Sequence, residues 1–201
     1  MRDLENYPDD FRQCIEFHGH ICPGLAIGYA AVKAAKNVLQ LTSSEDEEIV
    51  AVVENDSCAV DAVQKLLGCT FGKGNLVFRD WGKQVYTFFD RNSGKAVRVA
   101  LKGEMPFRTG MRGIRQKIDS GNATPEEIQQ FKEMRNKSID LLITSDPVKI
   151  FEIKEIDVPA PPEASIVETR ACSVCGEHTM LSRMVKRGND LICKQCESEI
   201  N

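Results

Sequence analysis

The sequence predicts an α+β fold: helices packed on a mostly antiparallel sheet, plus a small C-terminal zinc-binding module. Three observations lead there. A strand and a helix are followed by a run of strands and then by helices, which is not the order of a regular βαβ array. Two Cys-x-x-Cys pairs, Cys172/Cys175 and Cys193/Cys196, stand close to the C-terminus. Between core and pairs, Asp157–Glu163 carries Pro159, Pro161 and Pro162 and reads as a stiff, extended linker. The expected organisation is a core domain over 1–157, a linker over 158–168 and a four-cysteine module over 169–201.

The elements follow in order. Phe11, Cys14, Ile15 and His18 fall at i, i+3, i+4 and i+7, so 9–18 reads as a helix whose apolar face His18 ends. Gly19 breaks it. Pro23 opens a second helix over 23–40, where its missing N–H costs nothing. That helix is rich in Ala and Gly and can pack closely on several sides. Ile49–Val53 is a buried strand by its β-branched content. A third helix spans 58–68, with Gly68 as its C-cap. Strands follow at 75–79, 84–89 and 96–101, the last two as a hairpin closed by Asp90–Gly94. Helices return at 109–119 and 125–143. The second has a capping box: Thr124 as N-cap, Pro125 at the first position and Glu127 three residues after the cap. Val148–Ile156 alternates and reads as the last strand. There are no internal repeats.

The chain has 201 residues, is 42% hydrophobic and carries a formal net charge of −4. That balance argues against a nucleic-acid binder, which needs a basic surface. No apolar run approaches the ~20 residues of a membrane span, and the N-terminal residues lack the apolar stretch of a signal peptide. No membrane association is expected, and a cytoplasmic location is the default. In a reducing compartment, clustered cysteines bind metal or do chemistry more often than they pair as disulfides.

Cys172, Cys175, Cys193 and Cys196 have zinc-ribbon spacing, and four thiolates close a tetrahedral site, so this zinc is expected to be structural. His178 is a possible substitute ligand. Residues 169–201 hold five Lys/Arg and four Asp/Glu, and four thiolates on one zinc ion tip the balance negative. A protein-contact or lid role is expected rather than phosphate binding.

The second cluster is His18-Gly19-His20-Ile21-Cys22. In extended backbone alternate residues point the same way, so His18, His20 and Cys22 can face one point. Pro23 biases Cys22 toward extended geometry. Cys22 and Cys58 both stand at helix N-termini, where the dipole favours thiolate. Asp56 and Asp61 supply carboxylates nearby. Two chemistries remain open. His18, His20, Cys22 and Cys58 could hold a second transition metal, with Asp56 and Asp61 orienting ligands or moving protons. Alternatively Cys22 or Cys58 is a metal-free nucleophile with His18 or His20 as base. A third reading is a non-catalytic adaptor acting through the zinc module. Cys14 reads as core and Cys69 stays open. Gly72-Lys73-Gly74-Asn75 is a tight turn before it is an anion cradle. Arg108, Arg112 and Arg115 fit an anion site or a solvated helix face, and Trp81 lines a cleft or fills the core.

Phe17-His18-Gly19-His20-Ile21-Cys22-Pro23-Gly24-Leu25, with Gly28 beyond it, resembles the opening motif of the formylmethanofuran dehydrogenase E-subunit family. Glu54–Cys58, Asp61–Gln64 and Gly68–Leu76 resemble its second block. The family pattern often has Arg where this chain has Ala30. The resemblance covers residues 9–156 and the tail, since the family often carries a C-terminal zinc module. It implies an α+β core, a homodimer, and a cleft lined by the His/Cys motif and the Asp56–Cys58 block, open to a small-molecule ligand. It also implies an auxiliary or enzymatic, oxidoreductase-associated role in one-carbon or molybdenum/tungsten-linked redox metabolism, including membership of a redox enzyme complex.

Overall fold

The computed structural model describes residues 4–103 and 108–200. It divides into two compact units, Met1–Glu163 and Ala164–Asn201.

The first unit is built on a five-stranded sheet. Its strands are β1 (Ile49–Val53), β2 (Leu76–Phe78), β3 (Val85–Asp90), β4 (Lys95–Leu101) and β5 (Phe151–Ile156), in spatial order β2-β1-β3-β4-β5. Only β1 and β2 pair in parallel; the other ladders are antiparallel. All five residues of β1 are buried, because both faces of the sheet are covered there. Ile49, Ala51 and Val53 join the main core, while Val50 and Val52 join a small cluster with Phe89 and Ala96 on the other face. That is the period-2 alternation of a strand.

The helices form a layer on the main-core face, the fourth of them packed on the fifth. They are α1 (Asp9–His18), α2 (Pro23–Leu39), α3 (Ala59–Leu67), α4 (Arg108–Asp119), α5 (Pro125–Thr144) and the short α6 (Pro147–Ile150). Helix α2 is the axis of the unit, packed on α1, α3, α5 and β4. Its Ala26, Ala30, Ala31, Ala34 and Ala35 are all buried, so neighbours approach from several sides. Gly28 makes the closest approach: a Cβ there would stand 2.0 Å from the Ala59 carbonyl oxygen. The expected capping box at Thr124 and Glu127 forms, and Gly68 caps α3 in the left-handed region at φ 67°. Asn75 is fully buried. Its carboxamide accepts from Thr70 N–H at 2.8 Å and donates to the Ile49 carbonyl at 2.9 Å and the Asp46 carbonyl at 3.0 Å. The glycine-rich tract is therefore a turn, and Lys73 is engaged by the Ser44 and Glu45 carbonyls.

Two expectations need correction. The last strand begins at Phe151, not at Val148. Asp146 accepts from Val148 N–H at 3.1 Å, and Pro147 opens a helical turn instead. The stretch expected as linker is also not free over its whole length. Ala160 packs on the small cluster behind the sheet and Arg91 donates to the Pro161 carbonyl at 2.8 Å, so the first unit runs on to Glu163.

The second unit holds two hairpins and a terminal helix. β6 (Thr169–Ala171) pairs with β7 (His178–Met180), β8 (Met184–Arg187) pairs with β9 (Asp190–Cys193), and α7 spans Lys194–Ile200. Its buried cluster is Cys172, Ile192, Cys193 and Cys196, with Met184 against it. Among the described residues, no helix is long and apolar enough to cross a membrane.

Candidate metal centres and the adjoining cleft

His18 is the last residue of α1, and Gly19 turns the chain through the left-handed region at φ 84°. Cys22, as the N-cap of α2, is extended, with φ −150° and ψ 161°. The three residues therefore meet through a helix end and a left-handed turn, not through simple strand-like alternation. Gly19 is what permits that turn. Cys58 arrives from just ahead of α3. Asn55 fixes its approach: the side chain donates to the Lys83 carbonyl at 2.8 Å and accepts from the Ser57 hydroxyl at 2.7 Å. A Cβ on Gly24 would lie 3.7 Å from both the Cys22 and the Cys58 sulfur, so this glycine leaves open space beside both thiols.

One ligand atom from each of His18, His20, Cys22 and Cys58 lies within 4.8 Å of the others. A tetrahedral ion with bonds of about 2.0–2.3 Å needs these atoms about 3.3–3.8 Å apart, so a small contraction closes the site. The donor set fits a borderline-soft transition metal. His18 is oriented for it. Its Nδ1 is 2.7 Å from Asp61 Oδ2, while Nε2 faces Cys22 Sγ at 3.8 Å. Gln64 holds the other Asp61 oxygen at 3.1 Å. A carboxylate on Nδ1 fixes the tautomer that leaves Nε2 free to bind metal.

The sequence pointed to Asp56 equally, but Asp56 is exposed and outside the cluster. The helix-dipole expectation for Cys22 also needs correction. Leu25 N–H does reach its sulfur at 3.3 Å, but burial and the neighbouring Cys58 raise the thiol above its ordinary range. Without a cation this is not an activated thiolate. Cys14 and Cys69 are fully buried, and burial pushes both thiols up to about 12. They are core residues.

In the second unit, ligand atoms of Cys172, Cys175, Cys193 and Cys196 also lie within 4.8 Å of one another. Backbone N–H groups of Cys193 and Val174 point at Cys172 Sγ, at 3.3 and 3.4 Å, and Cys196 N–H points at Cys193 Sγ at 3.4 Å. Such bonds favour thiolate and hold Cys172 down at about 6. His178 is on β7, exposed and outside this cluster.

A cleft of about 820 Å³ opens beside His20 and Cys22, between them and helices α4 and α5. Sequence reasoning missed Arg135, which lines it and donates to the Ile21 carbonyl next to Cys22. Its signal was present: Ile128, Phe131, Lys132 and Arg135 fall on one helical face. Arg112 and Arg115 also line the cleft, whereas the Arg108 side chain lies outside the described residues. Trp81 is exposed elsewhere, with Arg79 over its ring at 5.2 Å.

The family model described as FmdE, Molybdenum formylmethanofuran dehydrogenase operon, matches residues 17–152, from the His/Cys motif to the last strand of the sheet. The chain belongs to the FmdE family. Among solved structures, it is similar to a tungsten formylmethanofuran dehydrogenase FmdE-like protein from Syntrophus aciditrophicus. The identity is 27%, the TM-score 0.59, and the match covers 98% of this chain and 96% of that one. A curated relative, a probable S-adenosyl-L-methionine-binding protein from Archaeoglobus fulgidus, is 29% identical over 90% of this chain. The chain spans about half the length of that relative. The FmdE match encloses His18, His20, Cys22, Cys58 and Asp61, and the four-cysteine unit lies beyond it.

Proposed function

We propose that the core holds a transition metal on His18, His20, Cys22 and Cys58, and that the protein serves one-carbon or molybdenum/tungsten-linked redox metabolism, as an enzyme or an accessory component of one. The His18–Asp61 pair supports this most. A 2.7 Å carboxylate contact on Nδ1 with Nε2 turned to a cysteine sulfur is how metal-binding histidines are held. Asp61 keeps the ring in place and can take up or return a proton at Nδ1. Cys22 supplies a thiolate once a cation offsets its burial and the charge of Cys58. A bound transition metal would supply Lewis acidity at the mouth of the cleft. The raised Cys22 thiol counts against Cys22 as a metal-free nucleophile. The tail cluster is proposed to hold a structural zinc. A homodimer, and docking to a larger redox enzyme, belong to the same reading.

The sulfonium cation of S-adenosylmethionine, the ligand named for the Archaeoglobus relative, finds no carboxylate partner among the described residues of the cleft beside the cluster, which include Arg112, Arg115, Lys132 and Arg135.

Metal content of the full-length protein tests the reading. The Cys22→Ser/Cys58→Ser double variant should lose the core equivalent and keep the one in the tail. An unchanged metal-to-protein ratio would sink the core site. Asp61→Asn, which keeps the shape but weakens the hold on Nδ1, should bind metal about 10–100-fold more weakly in a competition titration. An affinity equal to wild type would remove Asp61 from the site.

A further inference from the structure

We propose that the cleft beside the His/Cys cluster binds an organic anion, with a carboxylate or phosphate head on its basic wall and an apolar body along its floor. That this ligand is the substrate of the metal site rests on the function proposed above; the binding itself does not.

The wall is positive and largely uncompensated. Arg115 is paired with Asp119 at 2.8 Å. Arg112 and Lys132 have no hydrogen bond or ion pair with any described residue. Arg135 is held by a neutral carbonyl, that of Ile21. Three positive charges therefore share one cleft with no carboxylate among its described lining residues. Such a concave arrangement focuses potential and draws in anions. Arginine adds a fork of donors matched to carboxylate and phosphate oxygens.

The floor fixes the rest of the ligand. On α4, Met111 and Ile118 face the cleft, and on α5, Ile128 and Phe131 do so. A bare inorganic anion would leave these side chains against water and most of the 820 Å³ unfilled. That volume suits a ligand of cofactor or drug size. The head is placed by Arg135, whose guanidinium is tied to the residue before Cys22. An anion on Arg135 and Lys132 therefore stands at the His20/Cys22 end, where a reacting group would meet the cluster. The apolar body extends between α4 and α5.

Calorimetric titration of the full-length protein tests this, using octyl phosphate and octanoate as probes. Inorganic phosphate and neutral octyl glucoside serve as controls. Either anionic probe should bind more tightly than both controls, and the preferred head names the group. Arg112→Ala/Lys132→Ala should weaken the preferred probe by about tenfold or more with an unchanged melting temperature, and raising salt should weaken it in wild type. Equal binding of octyl glucoside, or no loss in the double variant, would overturn the proposal. So would a change of oligomeric state in that variant on sedimentation, because the cleft would then be an interface between copies. Cys22→Ser/Cys58→Ser separates the two readings. Probe binding retained while wild type carries no core metal leaves the anion cleft standing and removes the metal reading. Metal present with no probe bound does the reverse.

Discussion

Cys172→Ser is expected to unfold residues 169–200 and leave the core unit melting as in wild type. The second unit has almost no apolar interior of its own. Apart from Ile192 and the half-buried Met184, its buried cluster consists of cysteines that are themselves candidate ligands. A unit this small cannot bury enough surface to hold itself together. Metal binding, worth about 10–16 kcal/mol in comparable zinc peptides, is then its folding energy. Cys172 is the most consequential of the four, since two backbone N–H groups converge on its sulfur. Its folded value of about 6 lies below the ordinary 9.0. Its contribution to stability is therefore complete above 9.0 and lost as pH falls through about 6. Chelator should act as the substitution does, most readily under acid conditions. Amide spectra of the full chain decide the matter: signals from 169–200 should collapse with Cys172→Ser and return when zinc is restored to chelated wild type. A tail that stays dispersed without metal would mean that its hairpins suffice.

Gly28→Ala should be the most damaging single methyl in the core. A Cβ there would stand 2.0 Å from the Ala59 carbonyl oxygen and 2.7 Å from its Cα and carbonyl carbon. These are backbone atoms, which cannot rotate aside. Alanine gains up to ~1 kcal/mol in helix propensity over glycine. Overpacking costs about 1–3 kcal/mol even where side chains can adjust, and here two helices must separate. A net loss of about 3 kcal/mol lowers the core melting temperature by roughly 6–12 °C. Cys22 caps α2 and Cys58 immediately precedes α3, so the same separation should weaken core metal binding. Gly72→Ala is the control: nothing lies within 4 Å of its added carbon, and its effect should stay within about 0.5 kcal/mol. A melting temperature for Gly28→Ala equal to that of Gly72→Ala would show that the helices can shift at no cost.

Much of this architecture is local, and so legible in the chain. Pro23 at the first position of α2, the box of Thr124 and Glu127, the glycine end of α3 and the hairpin of β3 and β4 each depend on residues a few positions apart. Where local signals competed, reading failed. The alternation over Val148–Ile156 hid the helical turn that Asp146 and Pro147 start. The pattern His18-x-His20-x-Cys22 suggested extended backbone, whereas Gly19 supplies a left-handed turn.

The candidate centres divide along the same line. Spacing alone determined the tail cluster, because each Cys-x-x-Cys turn presents its own two thiols. For the core cluster, sequence determined the ligand types and the ends of the helices that carry them. It could not decide between Asp56 and Asp61 as the carboxylate for His18, nor find Arg135 beside Cys22. Those choices join residues far apart in the chain: Asp61 meets His18 across 43 positions and Arg135 meets Ile21 across 114. Only the packing of α1 and α2 against α3, and of α2 against α5, brings them together, since side-chain direction across such distances is set by how the helices seat on one another, with the missing Cβ of Gly28 letting α2 close on α3.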